Sequence, residues 1–123
     1  MICFESTFPS LLKSNIENEI IINISNDGWF GKSLAPYQHL QITQIRALEF
    51  NRYILRAANT GLSAVIDNNG KVIKYIPINK EGVITGFVPI NLDTSFYSRY
   101  GDIFILMLLF LTLLSQGLSR LRT

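Results

Sequence analysis

Cys3 and Glu5 are the residues in this chain whose types and spacing most directly suggest chemistry. A cysteine thiolate attacks carbonyl carbons readily once its proton has been removed. On an extended segment, side chains two residues apart share a side, so Glu5 would face the same way as Cys3 and assist as an acid or base. A lone cysteine is more often a small buried hydrophobic residue, and a lone glutamate is more often solvated at the surface. The pair is therefore a candidate site for cysteine acyl chemistry.

A polar and aromatic loop over 25–31 follows an apolar stretch over 20–24, and it is the second candidate part of a site. Its Trp29 and Phe30 are flanked by glycines and are predicted to line an apolar substrate groove. They would alternatively be core residues that close the sheet. His39 is the only histidine, and its place near the start of a predicted helix favours a capping or packing role over that of the base.

Composition excludes several functional classes. The 123 residues suffice for one domain with its own core, and the net charge of +2 is too small to indicate nucleic-acid binding. A single cysteine rules out an intramolecular disulfide framework and metal sites built from paired cysteines. We therefore expect no metal and no cofactor. No N-terminal signal peptide is predicted, since Lys13 and two glutamates follow the first apolar residues closely.

The pattern of apolar residues and turn formers predicts an α/β domain with a mixed sheet. The apolar stretch over 20–24 is typical of a parallel strand covered on both faces. A helix is expected from Pro36 to about residue 51, with Ile42, Ile45 and Leu48 on its apolar face. The other predicted elements are a helix over 11–19 with Ser10 as N-cap, a strand over 53–58, a hairpin of 62–66 and 71–76 joined by a turn over 67–70, and a strand over 83–90. For 53–58 the alternative is the end of the preceding helix, and the turn formers that follow favour the strand.

The tail differs in character from the rest of the chain. Residues 103–114 are apolar apart from Thr112, and the stretch reaches Leu118 if three polar or small residues are included. A helix that is apolar all round is either deep core or a membrane span. Arg120 and Arg122 follow directly and favour a membrane span whose C-terminal end is cytoplasmic.

Taken together, the motifs resemble the nitrilase superfamily of carbon–nitrogen hydrolases, and within it the apolipoprotein N-acyltransferases. The resemblance spans nearly the whole chain, and the hydrophobic tail distinguishes this branch from soluble nitrilases and amidases. The segments that carry it are Ile2-Cys3-Phe4-Glu5, Phe8-Pro9, Ser25-Asn26-Asp27-Gly28-Trp29-Phe30-Gly31, Pro36-Tyr37-Gln38-His39, Arg46-Ala47-Leu48-Glu49, Arg56-Ala57-Ala58-Asn59-Thr60-Gly61, Asp67-Asn68-Asn69-Gly70 and Thr94-Ser95-Phe96-Tyr97 with Arg99-Tyr100-Gly101-Asp102.

The resemblance implies the second half of a nitrilase-like α-β-β-α sandwich over 1–101, a transmembrane helix over 102–119 and a basic cytoplasmic tail over 120–123. Cys3 would be the nucleophile that accepts an acyl chain from a membrane phospholipid as a thioester, supported by Glu5, and Trp29 would lie on a loop at the mouth of the site. The acyl acceptor would be the N-terminal amine of a diacylglyceryl-cysteine lipoprotein. The implied location is the bacterial cytoplasmic (inner) membrane, with the catalytic domain in the periplasm.

The chain departs from the family pattern in one respect that bears on activity. The family's catalytic glutamate and lysine precede its cysteine by many residues, whereas two residues precede Cys3 here. The expectation is that these 123 residues do not turn over alone and that a separate chain carrying the N-terminal half supplies both groups. Two other functions fit the residues: a nitrilase- or amidase-type C–N hydrolase, and a non-enzymatic membrane-bound remnant.

Overall fold

A computed structural model describes residues 1–13, 19–90 and 93–121 of the chain. Four strands and a long helix confirm the predicted α/β class with a mixed sheet. In chain order the elements are a 3-10 turn Cys3–Thr7, α1 Pro9–Lys13, β1 Ile20–Asn26, a 3-10 turn Gly28–Phe30, α2 Ala35–Phe50, β2 Tyr53–Asn59, β3 Ser63–Ile66, β4 Val72–Ile76, α3 Phe96–Tyr100 and α4 Ile103–Leu121.

The sheet has the strand order β1-β2-β3-β4. β1 and β2 are parallel, and the two later pairs are antiparallel, as the predicted hairpin requires. Gly70, with φ of +77°, closes the hairpin turn by donating its N–H to the Asp67 carbonyl at 3.0 Å. Met1 and Ile2 run parallel to β1 on its other side, where Ile2 bridges Ile24. Three parallel segments therefore lead toward one edge of the sheet.

α2 packs on one face of the sheet through a side that differs from the predicted one. Ile45 and Leu48 of the predicted apolar face are exposed, and Ile42 is only half-buried. The prediction was wrong because the sheet presents the buried charged groups Asp27 and Arg56, which hydrogen-bond to His39 and Thr43 on the polar side of the helix. The buried residues of α2 are Pro36, His39, Thr43, Ala47 and Phe50.

The apolar core lies between α2 and this face of the sheet. Its fully buried centre is formed by Ile54 and Ile66 of neighbouring strands, against Ala47 of the helix. On the opposite face Ile22 is 55% and Ile24 is 60% exposed, so the described residues cover β1 on one face only and the predicted cover of its second face is not confirmed. A cavity of about 320 Å³ lies on that opposite face, partly covered by the segment 82–84.

Two further predictions need correction. The segment 83–90 forms no strand, and Val83 and Phe87 in it are almost fully exposed, so their β propensity finds no neighbouring strand to pair with. Ser10 lies inside α1 instead of capping it, because the turn Cys3–Thr7 and Pro9 already start the chain on a helical path. The predicted helix over 11–19 is described as far as Lys13, and residues 14–18 lie outside the described part.

α4 begins at Ile103, and its large apolar side chains through Leu114 are exposed. Within the described part of the chain, no helix combines the length and hydropathy needed to cross a membrane. The transmembrane helix predicted over 102–119 is therefore not confirmed. Of the predicted basic tail over 120–123, residues 122 and 123 lie outside the described ranges.

Candidate active site

The candidate site lies where the carboxyl ends of the parallel segments meet. Cys3 follows the short extended segment of Met1 and Ile2, Asp27 follows β1, and Asn59 ends β2. The Asp27 backbone N–H donates to the Asn59 carbonyl at 3.2 Å and joins two of these ends. In open α/β sheets this edge is the usual place for a ligand, because loops that leave the parallel strands converge there.

Cys3 occupies a strained turn at this edge. Its φ of +45° lies in the left-handed region, which non-glycine residues rarely adopt and which clusters at functional sites. The side chain is half-buried. Its Sγ lies 3.7 Å from Ser25 Oγ and 4.0 Å from the Asn26 carbonyl oxygen. The short turn thus presents a thiol at the sheet edge next to polar groups of β1.

Glu5 lies elsewhere than the extended-chain argument predicted. Residues Cys3–Thr7 form a 3-10 turn, so a two-residue spacing no longer places Glu5 beside Cys3. The exposed carboxylate of Glu5 instead accepts the backbone N–H of Ile2 at 2.7 Å. The structure therefore gives Glu5 a capping contact that holds the start of the turn carrying Cys3.

Asp27 is the centre of a buried polar network beneath Cys3. The residue is 2% exposed, and both of its carboxylate oxygens accept hydrogen bonds. Ser25 Oγ donates to Oδ1 at 2.6 Å, His39 Nδ1 donates to the same oxygen at 3.0 Å, and Arg56 Nη2 donates to Oδ2 at 2.7 Å. Asp27 thereby connects β1, α2 and β2 at one point.

The same contacts keep the Asp27 carboxyl ionised. Burial by itself would raise its pKa, but the hydrogen bond from Ser25, the positive charge of Arg56 and the hydrogen bond from His39 together hold the pKa below its ordinary value. A buried carboxylate with three donors satisfies most of its acceptor capacity. Asp27 is therefore a fixed negative charge about which its neighbours orient.

Arg56 completes the network from the middle of β2. Its guanidinium also donates to Asn23 Oδ1 at 2.5 Å, to Thr43 Oγ1 at 3.2 Å and to the Leu62 carbonyl at 3.2 Å. A guanidinium is planar, is permanently charged and carries five donors, so it can satisfy several buried acceptors at once. Arg56 thus joins both parallel strands to α2.

His39 joins Asp27 to the turn that carries Cys3. Because a carboxylate only accepts hydrogen bonds, the Nδ1 proton points to Asp27. On the other side of the ring, Nε2 lies 3.0 Å from Ser6 Oγ and 3.2 Å from the Cys3 carbonyl oxygen. The ring contacts the Cys3 backbone and not its sulfur, so the geometry agrees with a packing role rather than that of the base.

The two aromatic residues of the 28–30 turn have different surroundings. Trp29 is 84% exposed. Phe30 is half-buried, and its ring meets that of His39 edge-to-face at 6.3 Å between centroids. Neither residue lines the 320 Å³ cavity, which opens on the face of the sheet opposite α2. Their predicted role in substrate binding stays a prediction.

The residues that sequence reasoning left without a role are Ser25, Asp27 and Arg56. Each lay inside a motif that carried the family resemblance, yet none was assigned a function. The signal was an arginine in an otherwise apolar strand and an aspartate directly after another strand, since charges at such positions require a partner when buried. Among the described residues, no group of three metal-ligating side chains lies close enough together to hold a metal ion.

Comparison with known proteins identifies the family of the chain. The carbon–nitrogen hydrolase family model matches residues 1–95, so the chain belongs to that family. The chain is similar to the apolipoprotein N-acyltransferases of Rickettsia bellii and Geobacter metallireducens, at 44% identity over 89% of this chain and 42% over 85%. That of Rickettsia typhi is 39% identical over 97% of the chain.

The chain spans about a quarter or less of the length of these curated relatives. The aligned regions cover 22%, 20% and 25% of the three proteins, in the order given. The family is therefore shown for the part of the domain that carries Cys3. The activity of the whole relatives comes to this chain only as a proposal.

Proposed function

We propose that these residues form part of an apolipoprotein N-acyltransferase in which Cys3 is the acyl-accepting nucleophile. The observation that carries the proposal is the half-buried thiol on a left-handed turn at the carboxyl ends of parallel segments. The similarity to enzymes of that name supports it. The acyl donor is a membrane phospholipid, and the acceptor is the N-terminal amine of a diacylglyceryl-cysteine lipoprotein.

The chemistry consists of two acyl transfers through one thioester. The Cys3 thiolate attacks the donor ester carbonyl, the C–S bond forms, and the ester C–O bond breaks to release a lysophospholipid. The lipoprotein amine then attacks the thioester, the amide C–N bond forms, and the C–S bond breaks to return the thiol. In each step a base takes a proton from the nucleophile, the thiol or the amine, and passes it to the leaving oxygen or sulfur.

We propose that the base lies outside these 123 residues. In the part of the chain that the structure describes, the hydrogen-bonding neighbours of Cys3 Sγ are Ser25 Oγ and the Asn26 carbonyl, and neither is a base at neutral pH. A further polypeptide segment carrying a glutamate and a lysine would supply it. The exposed apolar side chains of Ile22 and Ile24 offer that segment a sheet face on which to pack.

We further propose that α4 attaches the domain to the inner membrane, with the catalytic part in the periplasm. The exposed apolar side chains of α4 support lipid contact. Phe96 and Tyr100 pack together near its start, with ring centroids 4.7 Å apart, and aromatic residues are enriched at membrane interfaces. Labelling of Cys3 in intact spheroplasts by a membrane-impermeant maleimide tests this orientation, and labelling only after lysis contradicts it.

The decisive experiment for the function is the intact mass of the protein after expression in bacterial membranes, with Cys3→Ser as the matched control. A fatty-acyl mass increment that hydroxylamine removes and Cys3→Ser lacks supports the thioester. The same protein co-expressed with and without the remaining domain half tests the source of the base. A folded, membrane-bound protein without an adduct under both conditions contradicts the acyltransferase proposal and favours the non-enzymatic remnant.

The family match also fits hydrolysis of a small C–N bond. Release of the acyl group from Cys3 separates the two functions. Transfer of a fatty-acyl group to a lipopeptide amine supports the acyltransferase, whereas release of ammonia from a short-chain amide at the same rate with and without the lipopeptide supports the hydrolase.

A further inference from the structure

We propose that Asp27 is a positioning residue for Cys3, acting through Ser25 on the sulfur and through His39 on the backbone carbonyl. The inference rests on the proposed function in taking Cys3 as the nucleophile. Asp27 does not touch Cys3. Its Oδ1 oxygen instead accepts hydrogen bonds from Ser25 and His39, the two side chains that contact Cys3.

The first connection runs through Ser25. Ser25 is buried, and its Oγ lies 2.6 Å from Asp27 Oδ1 and 3.7 Å from Cys3 Sγ. The Ser25 hydroxyl is placed to donate to the carboxylate and to the sulfur, and the Cys3 S–H is directed to the Asn26 carbonyl at 4.0 Å. The Asp27 contact thereby fixes the rotamer of Ser25, and Ser25 in turn limits where the sulfur can lie.

The second connection runs through His39. With its Nδ1 proton directed to Asp27, the ring places Nε2 against the turn Cys3–Thr7. A doubly protonated ring donates from Nε2 to the Cys3 carbonyl, and a neutral ring accepts from the Ser6 hydroxyl. In both states the turn is held, and the left-handed φ of Cys3 is maintained by contacts outside the turn itself.

The charged neighbour of Asp27 and His39, Arg56, is held in a fixed position as well. Arg56 Nη2 lies 2.7 Å from Asp27 Oδ2 and 3.1 Å from His39 Nδ1. Because the guanidinium donates to Oδ2, Oδ1 can accept hydrogen bonds from both Ser25 and His39. The aromatic rings of Phe4 and Phe30 pack against the imidazole, with centroids 6.5 and 6.3 Å away. The imidazole therefore has little freedom to rotate away from Asp27.

The test is the rate at which iodoacetamide alkylates the full 123-residue chain, followed by intact mass. Cys3 is the only cysteine, so every added mass reports this thiol. Alkylation needs no lipid and no lipoprotein, and at about pH 8 the buffer can take up the thiol proton in place of a protein base. A missing acyl adduct would thus overturn the proposed function without affecting this measurement. Unchanged alkylation rates in the variants would overturn the positioning role of Asp27 without affecting the proposed function.

Two matched pairs separate positioning from simple loss of stability. Asparagine at position 39 can reach Asp27 but not the turn, whereas glutamine places its amide near the position of Nε2. His39→Asn therefore loses the contact with the turn, and His39→Gln loses the contact with Asp27. Because the connection needs both ends of the ring, we expect each variant to slow alkylation about tenfold, as misplacement of a reacting group does. Ser25→Ala should slow alkylation as well, and Ser25→Thr, which keeps the hydroxyl, should react faster than Ser25→Ala.

Ser98→Ala is the stability control. Ser98 is buried on α3, donates to the Ser95 carbonyl at 2.8 Å, and belongs to neither connection. It should lower the melting temperature without changing the alkylation rate. The proposal is overturned if either His39 variant reacts as fast as the wild type or faster, if Ser25→Thr reacts no faster than Ser25→Ala, or if the rates of all variants follow their melting temperatures.

Discussion

Arg56 Nη2 lies 2.7 Å from Asp27 Oδ2, and both side chains are fully buried between the two parallel strands and α2. Taking two charges out of water is costly, and their attraction offsets this cost only when further hydrogen bonds satisfy the remaining donors and acceptors. Here Ser25 and His39 donate hydrogen bonds to the Asp27 carboxylate, and Asn23 accepts one from the Arg56 guanidinium. The pair therefore binds the edge of the sheet beneath Cys3 into one unit.

Removal of the arginine charge should be strongly destabilising. Arg56→Met leaves the Asp27 carboxylate buried without its countercharge, and we expect the free energy of unfolding to fall by about 3–5 kcal/mol. Urea unfolding followed by far-UV circular dichroism measures the change. Lys74→Met is the control, because Lys74 is exposed and its loss should cost less than about 0.5 kcal/mol. Equal effects of the two variants would contradict the buried-pair argument.

The Asp27 pKa predicts how stability depends on acid. The native-state pKa lies below the ordinary value of 3.8, so the unfolded chain binds this proton more tightly. The stabilisation is therefore fully present above about pH 4 and is lost as pH falls toward the native pKa. A carboxyl-carbon NMR titration of Asp27 should give a midpoint under 3.8. A midpoint at or above that value would show that burial raises the Asp27 pKa by more than the three donors lower it.

The sequence predicted the order of the main elements but not which side of α2 is buried. Hairpin turn chemistry and the apolar stretches before Asn26 and Asn59 are local signals, and β1, β2, β3 and β4 were found where they predict. The buried side of α2 depends on what the sheet presents. His39 and Thr43 face inward because Asp27 and Arg56 need partners, a requirement visible only once the strands are paired.

The candidate site was predicted in part for a similar reason. Cys3 was proposed from its residue type and the family motif. Its thiol lies at the edge where the parallel segments end, and its role as nucleophile stays a prediction. The role of Glu5 was argued from an extended backbone, and the 3-10 turn removed that premise. The link between Asp27 and Cys3 passes through residues far apart in sequence, which spacing alone cannot indicate.

Replacement of Glu5 separates capping from chemistry. Glu5→Gln keeps an oxygen that can accept the Ile2 N–H, whereas Glu5→Ala loses it. We expect Glu5→Ala to lower the melting temperature by roughly 4 °C, the effect of losing about 1 kcal/mol, and Glu5→Gln to stay close to wild type. Differential scanning calorimetry and iodoacetamide alkylation of Cys3 provide the measurements. If both variants slow alkylation equally while Glu5→Gln keeps its stability, the charge of the carboxylate acts on Cys3 and capping is not its only role.

Gly61 offers a purely steric test of the network. A Cβ built on Gly61 would overlap Asp27 Oδ2 and lie 2.8 Å from both Asp27 Cβ and Cγ, so the carboxylate would have to move. The φ of Gly61 is not in the left-handed region, and the alanine backbone itself is therefore tolerated. We expect Gly61→Ala to lower the free energy of unfolding by about 1–3 kcal/mol through overpacking.

Gly86→Ala is the matched control for this steric effect. A Cβ at Gly86 meets no atom within 4 Å, so its free energy of unfolding should stay unchanged or rise by less than about 1 kcal/mol. Alkylation of Cys3 adds a second readout, because displaced Asp27 can no longer hold Ser25 and His39 in place. Gly61→Ala should therefore slow alkylation and Gly86→Ala should not. Equal stability and equal alkylation rates in the two variants would show that the space around Asp27 is not as tight as its contacts indicate.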